Sequence, residues 1–265
     1  MTGDFPDSLR PAASTPAVTF ASGGEQLLGL LHLPAGPGPF PVVVLLHGFP
    51  GNERNFDLAQ ALRRAGYAAV VFHYRGSWGV GGAWSWQHVL DDAAAVVEQV
   101  RADPRFDPAR VAVAGHSVGG FAALHTAAAD PSVGAVASLA GFDLAALAAA
   151  TSADSDVRAE WVTAFDDELR PLRGTSGTAL IAEAEAAGDT WRLPELAPAL
   201  AGRPVLLIGA SRDPLSVQAV HHDPLVAAYA TARLEHHAFP TDHALSDHRL
   251  AAASTLIDFL NRNLA

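Results

Sequence analysis

Apolar runs of four to seven residues recur along the chain, separated by stretches whose apolar positions follow helical spacing. Residues 42–46 (Val-Val-Val-Leu-Leu), 67–73, 111–114, 133–139, 204–209 and 232–238 carry the runs. Most lack the alternation of a half-exposed strand, so they fit strands covered on both faces, as in a parallel sheet. Between them, residues 55–65, 88–101, 121–129, 215–229 and 246–264 read as helices; Val89, Ala93, Val96, Val97 and Val100 form one face of the second. Near the start, residues 18–20 and 26–33 flank Gly23-Gly24, which predicts an antiparallel hairpin. Residues 34–41, with four prolines and two glycines, form a connecting loop.

The strand–helix alternation lapses once. Residues 142–201 are Ala-rich and acid-rich, carry Trp161, Phe165 and Trp191, and contain no strand run. A crossover needs only about a dozen residues, so the surplus is an insertion, read as a helical cap over the strand ends. The predicted organisation is a loose tail (1–17), an α/β core (18–141 and 202–265) and the cap (142–201). Its fold class is a doubly wound, mostly parallel α/β sheet of about eight strands.

Composition narrows the function. With 265 residues, 49% hydrophobic and 17% charged, the chain is an ordinary packed protein. Its formal charge of -11 argues against nucleic-acid partners and anionic membrane surfaces. All 17 basic residues are Arg, so no lysine Schiff base or phosphate-loop lysine is available. There is no cysteine, which removes thiolate nucleophiles and Cys-ligated zinc. The first eighteen residues show no targeting pattern and no apolar run near the ~20 residues of a membrane span, so a cytoplasmic protein is expected.

The chemistry concentrates at Gly115-His116-Ser117-Val118-Gly119-Gly120. A small-residue strand enters it and an Ala-rich helix leaves it. A serine at such a turn presents its hydroxyl clear of the sheet, and the glycines are needed because a β-carbon would strike the neighbouring strand or helix. A serine nucleophile requires a base, and the base an orienting carboxylate. Asp213 follows the strand at 204–209 and is the preferred acid; Asp143, Asp223 and Asp242 compete, with capping or turn roles as the plainer reading. Of twelve histidines, His243 lies in the loop between the last strand and the last helix and is the preferred base. His236 and His237 fall within a strand, and His221, His222 and His248 on helices. The oxyanion donors expected are the backbone N–H of Val118, at a helix start where donors lack internal partners, and of Phe49 in His47-Gly48-Phe49-Pro50-Gly51.

Those motifs together, in the order Ser117, Asp213, His243, resemble the α/β-hydrolase superfamily over residues 18–264. Within it the chain is similar to small esterases and the prolyl-oligopeptidase-like group, including acyl-peptide hydrolases, feruloyl-type esterases and dienelactone-hydrolase-like proteins. The resemblance implies the same triad and donors. It departs in lacking room for a propeller domain and in lacking the cysteine nucleophile of dienelactone hydrolases.

The expected activity is ester cleavage through an acyl-enzyme, without cofactor or metal, on a small-molecule substrate. Trp78, Trp84, Trp86 and Trp161 are candidate pocket walls. The Gly-rich loop at 74–86 does not have the spacing of a dinucleotide loop. Amide or thioester cleavage is the nearest rival, since an amine-bearing substrate would suit the acid-rich cap (Asp154, Asp156, Asp166, Asp167, Glu168). A binding protein on a hydrolase scaffold is the rival of another class. A metal site from His221-His222 and His236-His237 lacks the usual ligand spacing. The sequence leaves a homodimer open.

Overall fold

The computed structural model describes residues 11–264. Eight strands form one sheet in the order β1-β2-β4-β3-β5-β6-β7-β8. The hairpin β1 (Ala17–Ser22) and β2 (Glu25–His32) is antiparallel and adds to β4 (Ala68–Phe72), also antiparallel. From β4 onward, β3 (Phe40–Leu46), β5 (Phe106–His116), β6 (Ala135–Leu139), β7 (Pro204–Ala210) and β8 (Arg233–Phe239) pair in parallel. Val42 to Leu46 and Val111 to Ala114 are buried throughout, because helices cover both faces. The sheet therefore separates two cores: Val42, Val44 and Val113 lie in one, and Val43, Leu45 and Ala112 in the other.

Helices α1 (Phe56–Arg64), α2 (Trp86–Ala102) and α3 (Val118–Ala129) follow β3, β4 and β5. Between β6 and β7 run α4 (Leu144–Ala153), α5 (Ser155–Asp167), α6 (Gly177–Ala187) and the four-residue α7 (Ala197–Leu200), and among the described residues this segment adds no strand to the sheet. Where one helix is predicted over 215–229 there are two short ones, α8 (Gln218–His221) and α9 (Asp223–Ala228). Pro224, with no N–H to continue α8, falls in the first turn of α9, a position that tolerates it. The final helix, α10, spans Arg249–Asn263.

Part of the predicted tail is tied down. Residues 1–10 lie outside the described residues, but Ser14 pairs with Leu33 and the Gly36 N–H donates to the Pro11 carbonyl at 2.9 Å. No described helix is long and apolar enough to cross a membrane.

Candidate active site

Close packing fixes the turn at Ser117. Its backbone has φ 58 and ψ -125, a conformation that side-chain-bearing residues rarely adopt. A β-carbon on Gly119 would fall on the Leu46 carbonyl, and one on Gly115 on the Gly119 carbonyl. The Ser117 N–H donates to the Leu139 carbonyl of β6 at 2.9 Å, anchoring the elbow to the neighbouring strand. Ser117 is 6% exposed, and a β-carbon on Gly48 would lie 3.3 Å from its Oγ. The loop after β3 thus passes directly beside the hydroxyl.

Asp213 and His243, the expected acid and base, ride on adjoining loops after β7 and β8. Hydrogen bonding continues beyond the strands: Ser211 N donates to Phe239 O at 2.8 Å and Arg212 N to Thr241 O at 3.1 Å. Asp213 Oδ1 accepts from Leu215 N (2.8 Å) and Ser216 N (2.9 Å), closing an Asx-type turn. That leaves Oδ2 for His243 Nδ1, at 2.6 Å. Burial pushes the Asp213 carboxyl up, but the His243 hydrogen bond and charge and the two backbone N–H groups outweigh it and hold it below the usual range. An ionised carboxylate only accepts, so Nδ1 carries the proton and Nε2 is left as the basic nitrogen.

His116, inside the serine motif, joins the two halves. Its Nε2 lies 2.6 Å from the His243 carbonyl, and the two rings are 4.9 Å apart. Burial holds its pKa down at about 4. Among the described residues, neither the Val118 nor the Phe49 N–H has an acceptor, so both are available to an oxyanion. Around Phe49 the loop is braced: His47 Nδ1 donates to Gly48 O at 2.8 Å, and Trp78 Nε1 donates to Pro50 O at 2.9 Å. His47 is fully enclosed, and burial first, then His73 and Arg54, lower its pKa to about 3.

A cavity of about 530 Å³ opens here. Phe49, Trp161, Phe165, Pro214 and Leu215 give it apolar walls; Glu53, Glu168 and Asp242 also line it, with His116 and His243. Of the four tryptophans proposed as walls only Trp161 lines it. Trp84 (2% exposed) and Trp86 (0%) pack behind Phe49, at ring separations of 6.1 and 5.5 Å. Trp78 supports the loop from outside and carries the Arg54 guanidinium 4.1 Å from its ring centre. The 74–86 loop folds inward because its aromatics complete the core above β4.

The competing residues have other partners. Asp143 caps α4, accepting from Ala145 N at 2.9 Å, while its own N–H donates to His221 Nδ1 at 3.0 Å. Asp242 accepts from Ser246 N, and Asp223 from Gln218. His236 and His237 lie on β8, and His248 bonds Asp247. His222 and His236 rings are 6.3 Å apart, and among the described residues no three His, Asp or Glu side chains gather as a metal-ligand set. The lining residues to which the sequence assigned no site role include His116, Phe165, Pro214 and Leu215; His116 lay within the serine motif and Phe165 among the aromatics of the insertion, while Pro214 and Leu215 had no local signal beyond following Asp213.

The family model described as Hydrolase_4, serine aminopeptidase S33, matches residues 37–249. The uncharacterized peptidase YuxL of Bacillus subtilis is 34% identical over 112 residues, which are 37% of this chain and 17% of YuxL. An uncharacterized protein of Mycobacterium tuberculosis, Rv2307c, is 35% identical over 101 residues, 38% of this chain and 35% of that protein. The chain thus matches well under half the length of either relative. Est1E of Butyrivibrio proteoclasticus, solved with ferulic acid, has the same fold, with TM-score 0.74, 19% identity, and 93% and 99% of the two chains covered.

Proposed function

Since this chain belongs to the serine aminopeptidase S33 family of α/β hydrolases, we propose that it cleaves carboxylic esters through an acyl-enzyme formed on Ser117. His243 takes the Ser117 proton through Nε2 and returns it to the leaving alcohol. Asp213 fixes the His243 tautomer and stabilises the imidazolium. The Val118 and Phe49 N–H groups receive the oxyanion, and water then releases the acid. The observation that carries this reading is the 2.6 Å Asp213–His243 contact, delivered from two loops to the edge where Ser117 holds its strained elbow. The segment 142–201 serves as a cap, contributing Trp161, Ala164, Phe165 and Glu168 to the cavity.

A second reading, cleavage of an amide beside a free amine, is favoured by the cavity's charge. Glu53, Glu168 and Asp242 line it and, among the described residues, no arginine does. An ammonium group would be attracted and a carboxylate repelled.

Labelling by a fluorophosphonate, read by intact mass on the parent and Ser117→Ala, tests the nucleophile. Turnover of short and long p-nitrophenyl esters beside aminoacyl-p-nitroanilides separates the two readings. Labelling of the parent alone with ester turnover is expected. A parent that neither labels nor turns over any of these substrates overturns the serine-hydrolase reading and leaves the scaffold a binder.

A further inference from the structure

We infer that His116 is a positioning residue: by donating to the backbone carbonyl of His243 it fixes the base relative to the serine beside it. The inference rests on the reading of Ser117, Asp213 and His243 as a triad.

A carbonyl oxygen has no proton to give, so at 2.6 Å the His116 Nε2 must be the donor. The tautomer is therefore set, with the proton on Nε2. The groups that face this ring are His243, Asp213 and Arg249, and the ring stays neutral because burial outweighs the Asp213 carboxylate. A buried imidazole pays desolvation that an apolar residue of similar size would not; the single hydrogen bond it gains is to the base.

The location of that bond matters more than its strength. Asp213 grips His243 at one ring nitrogen, which leaves rotation of the ring and drift of its backbone to be restrained by something else. The base lies in a loop, not in a strand or helix. Arg249 reaches the next carbonyl, that of Ala244, at a looser 3.3 Å. His116 is bonded covalently to Ser117, so its hydrogen bond ties the base to the nucleophile through one residue. Proton transfer demands placement within a fraction of an ångström, and a misplacement of about 1 Å can cost on the order of 100-fold in rate.

The test compares His116→Leu, which removes the donor, with His116→Gln, whose amide can present an N–H at similar reach. Three quantities are read: kcat and KM for p-nitrophenyl butyrate, Tm, and the downfield proton resonance of the His243–Asp213 hydrogen bond. We expect the leucine variant to lose roughly ten- to a hundredfold in kcat with KM little changed. Its downfield resonance should broaden or vanish, while the glutamine variant recovers most of both. If the leucine variant does not fold, His116→Asn, too short to reach the carbonyl, replaces it. A leucine variant with parental kcat and resonance, or a glutamine variant falling as far as leucine, overturns the inference. Should the parent turn over no ester, the resonance decides alone: loss in the leucine variant supports the positioning role and persistence refutes it.

Discussion

Asp213 and His243 stand thirty residues apart in the chain, yet the carboxylate divides its two oxygens between holding a turn and holding the imidazole. Oδ1 serves Leu215 and Ser216; Oδ2 serves His243. The two roles can be separated by substitution. Asp213→Asn keeps a carbonyl oxygen for the turn but sets an N–H donor against His243 Nδ1, which then favours the wrong tautomer. Activity should fall on the order of 1,000- to 10,000-fold with Tm nearly unchanged. Asp213→Ala should lose the turn as well and melt earlier. Equal melting of the two variants would show that the turn does not depend on Oδ1.

Two neighbouring glycines should respond unequally to alanine. At Gly119 the added methyl would meet the Leu46 backbone carbonyl, which cannot move without breaking β3. At Gly120 it would meet chiefly the Ser138 hydroxyl, the end of a side chain that can rotate, with the backbone of Gly141 and Gly115 at a tight but tolerable 3.1 and 3.3 Å. Gly119→Ala should cost at least about 3 kcal/mol, the upper range for overpacking, and Gly120→Ala about 1. Urea midpoints on both variants check this; equal costs would mean that β3 gives way as readily as a serine rotamer.

Much of the scaffold was legible because each parallel strand is covered on both faces and so reads as an apolar run, as at Val42 to Leu46. Loops at strand ends narrow the choice of chemical residues, which is why Ser117, Asp213 and His243 stand out against eleven other histidines and three competing carboxylates. What was not legible depends on contacts without periodicity. The pairing of Ser14 with Leu33 uses backbone atoms and leaves no trace in side-chain pattern. Trp84 and Trp161 both sit in loop-like or helical context, and only the tertiary fold turns one into the core and the other onto the cavity. His116 resembled motif filler until the loop carrying His243 closed over it.

Trp161 and Trp86 should therefore separate function from stability. Trp161 lines the cavity and packs at 5.5 Å from both Phe142 and Phe165. Its replacement by alanine should enlarge the acyl space and shift preference toward longer p-nitrophenyl esters, with a modest loss in Tm. Trp86 is fully buried and its Nε1 donates to Leu180 O at 3.0 Å. Trp86→Ala should cost about 3–5 kcal/mol and leave chain-length preference unchanged in whatever folds. A changed preference in Trp86→Ala alone would assign the wall to the wrong tryptophan.

Buried histidines should make the protein acid-sensitive at a pH above the carboxylate range. Burial first, with neighbouring charges, lowers His47 to about 3 and His73, His116 and His221 to about 4, against an ordinary 6.5. Below pH 6.5 the unfolded chain takes up protons at these sites and the folded chain does not, so stability falls as pH drops toward 4. Each site weighs up to about 1.4 kcal/mol per pH unit, and the four together up to about 5.6. Against a typical native stability of about 5–15 kcal/mol, unfolding should come above pH 4, before most carboxylates protonate. Urea midpoints should be level between pH 8.5 and 7.5, begin to fall between 7.5 and 6.5 as the unfolded histidines half-protonate, and fall steeply from 6.5 to 4.5. A level profile down to pH 4.5 would mean that the folded protein admits these protons, and that the four rings are less enclosed than their packing requires.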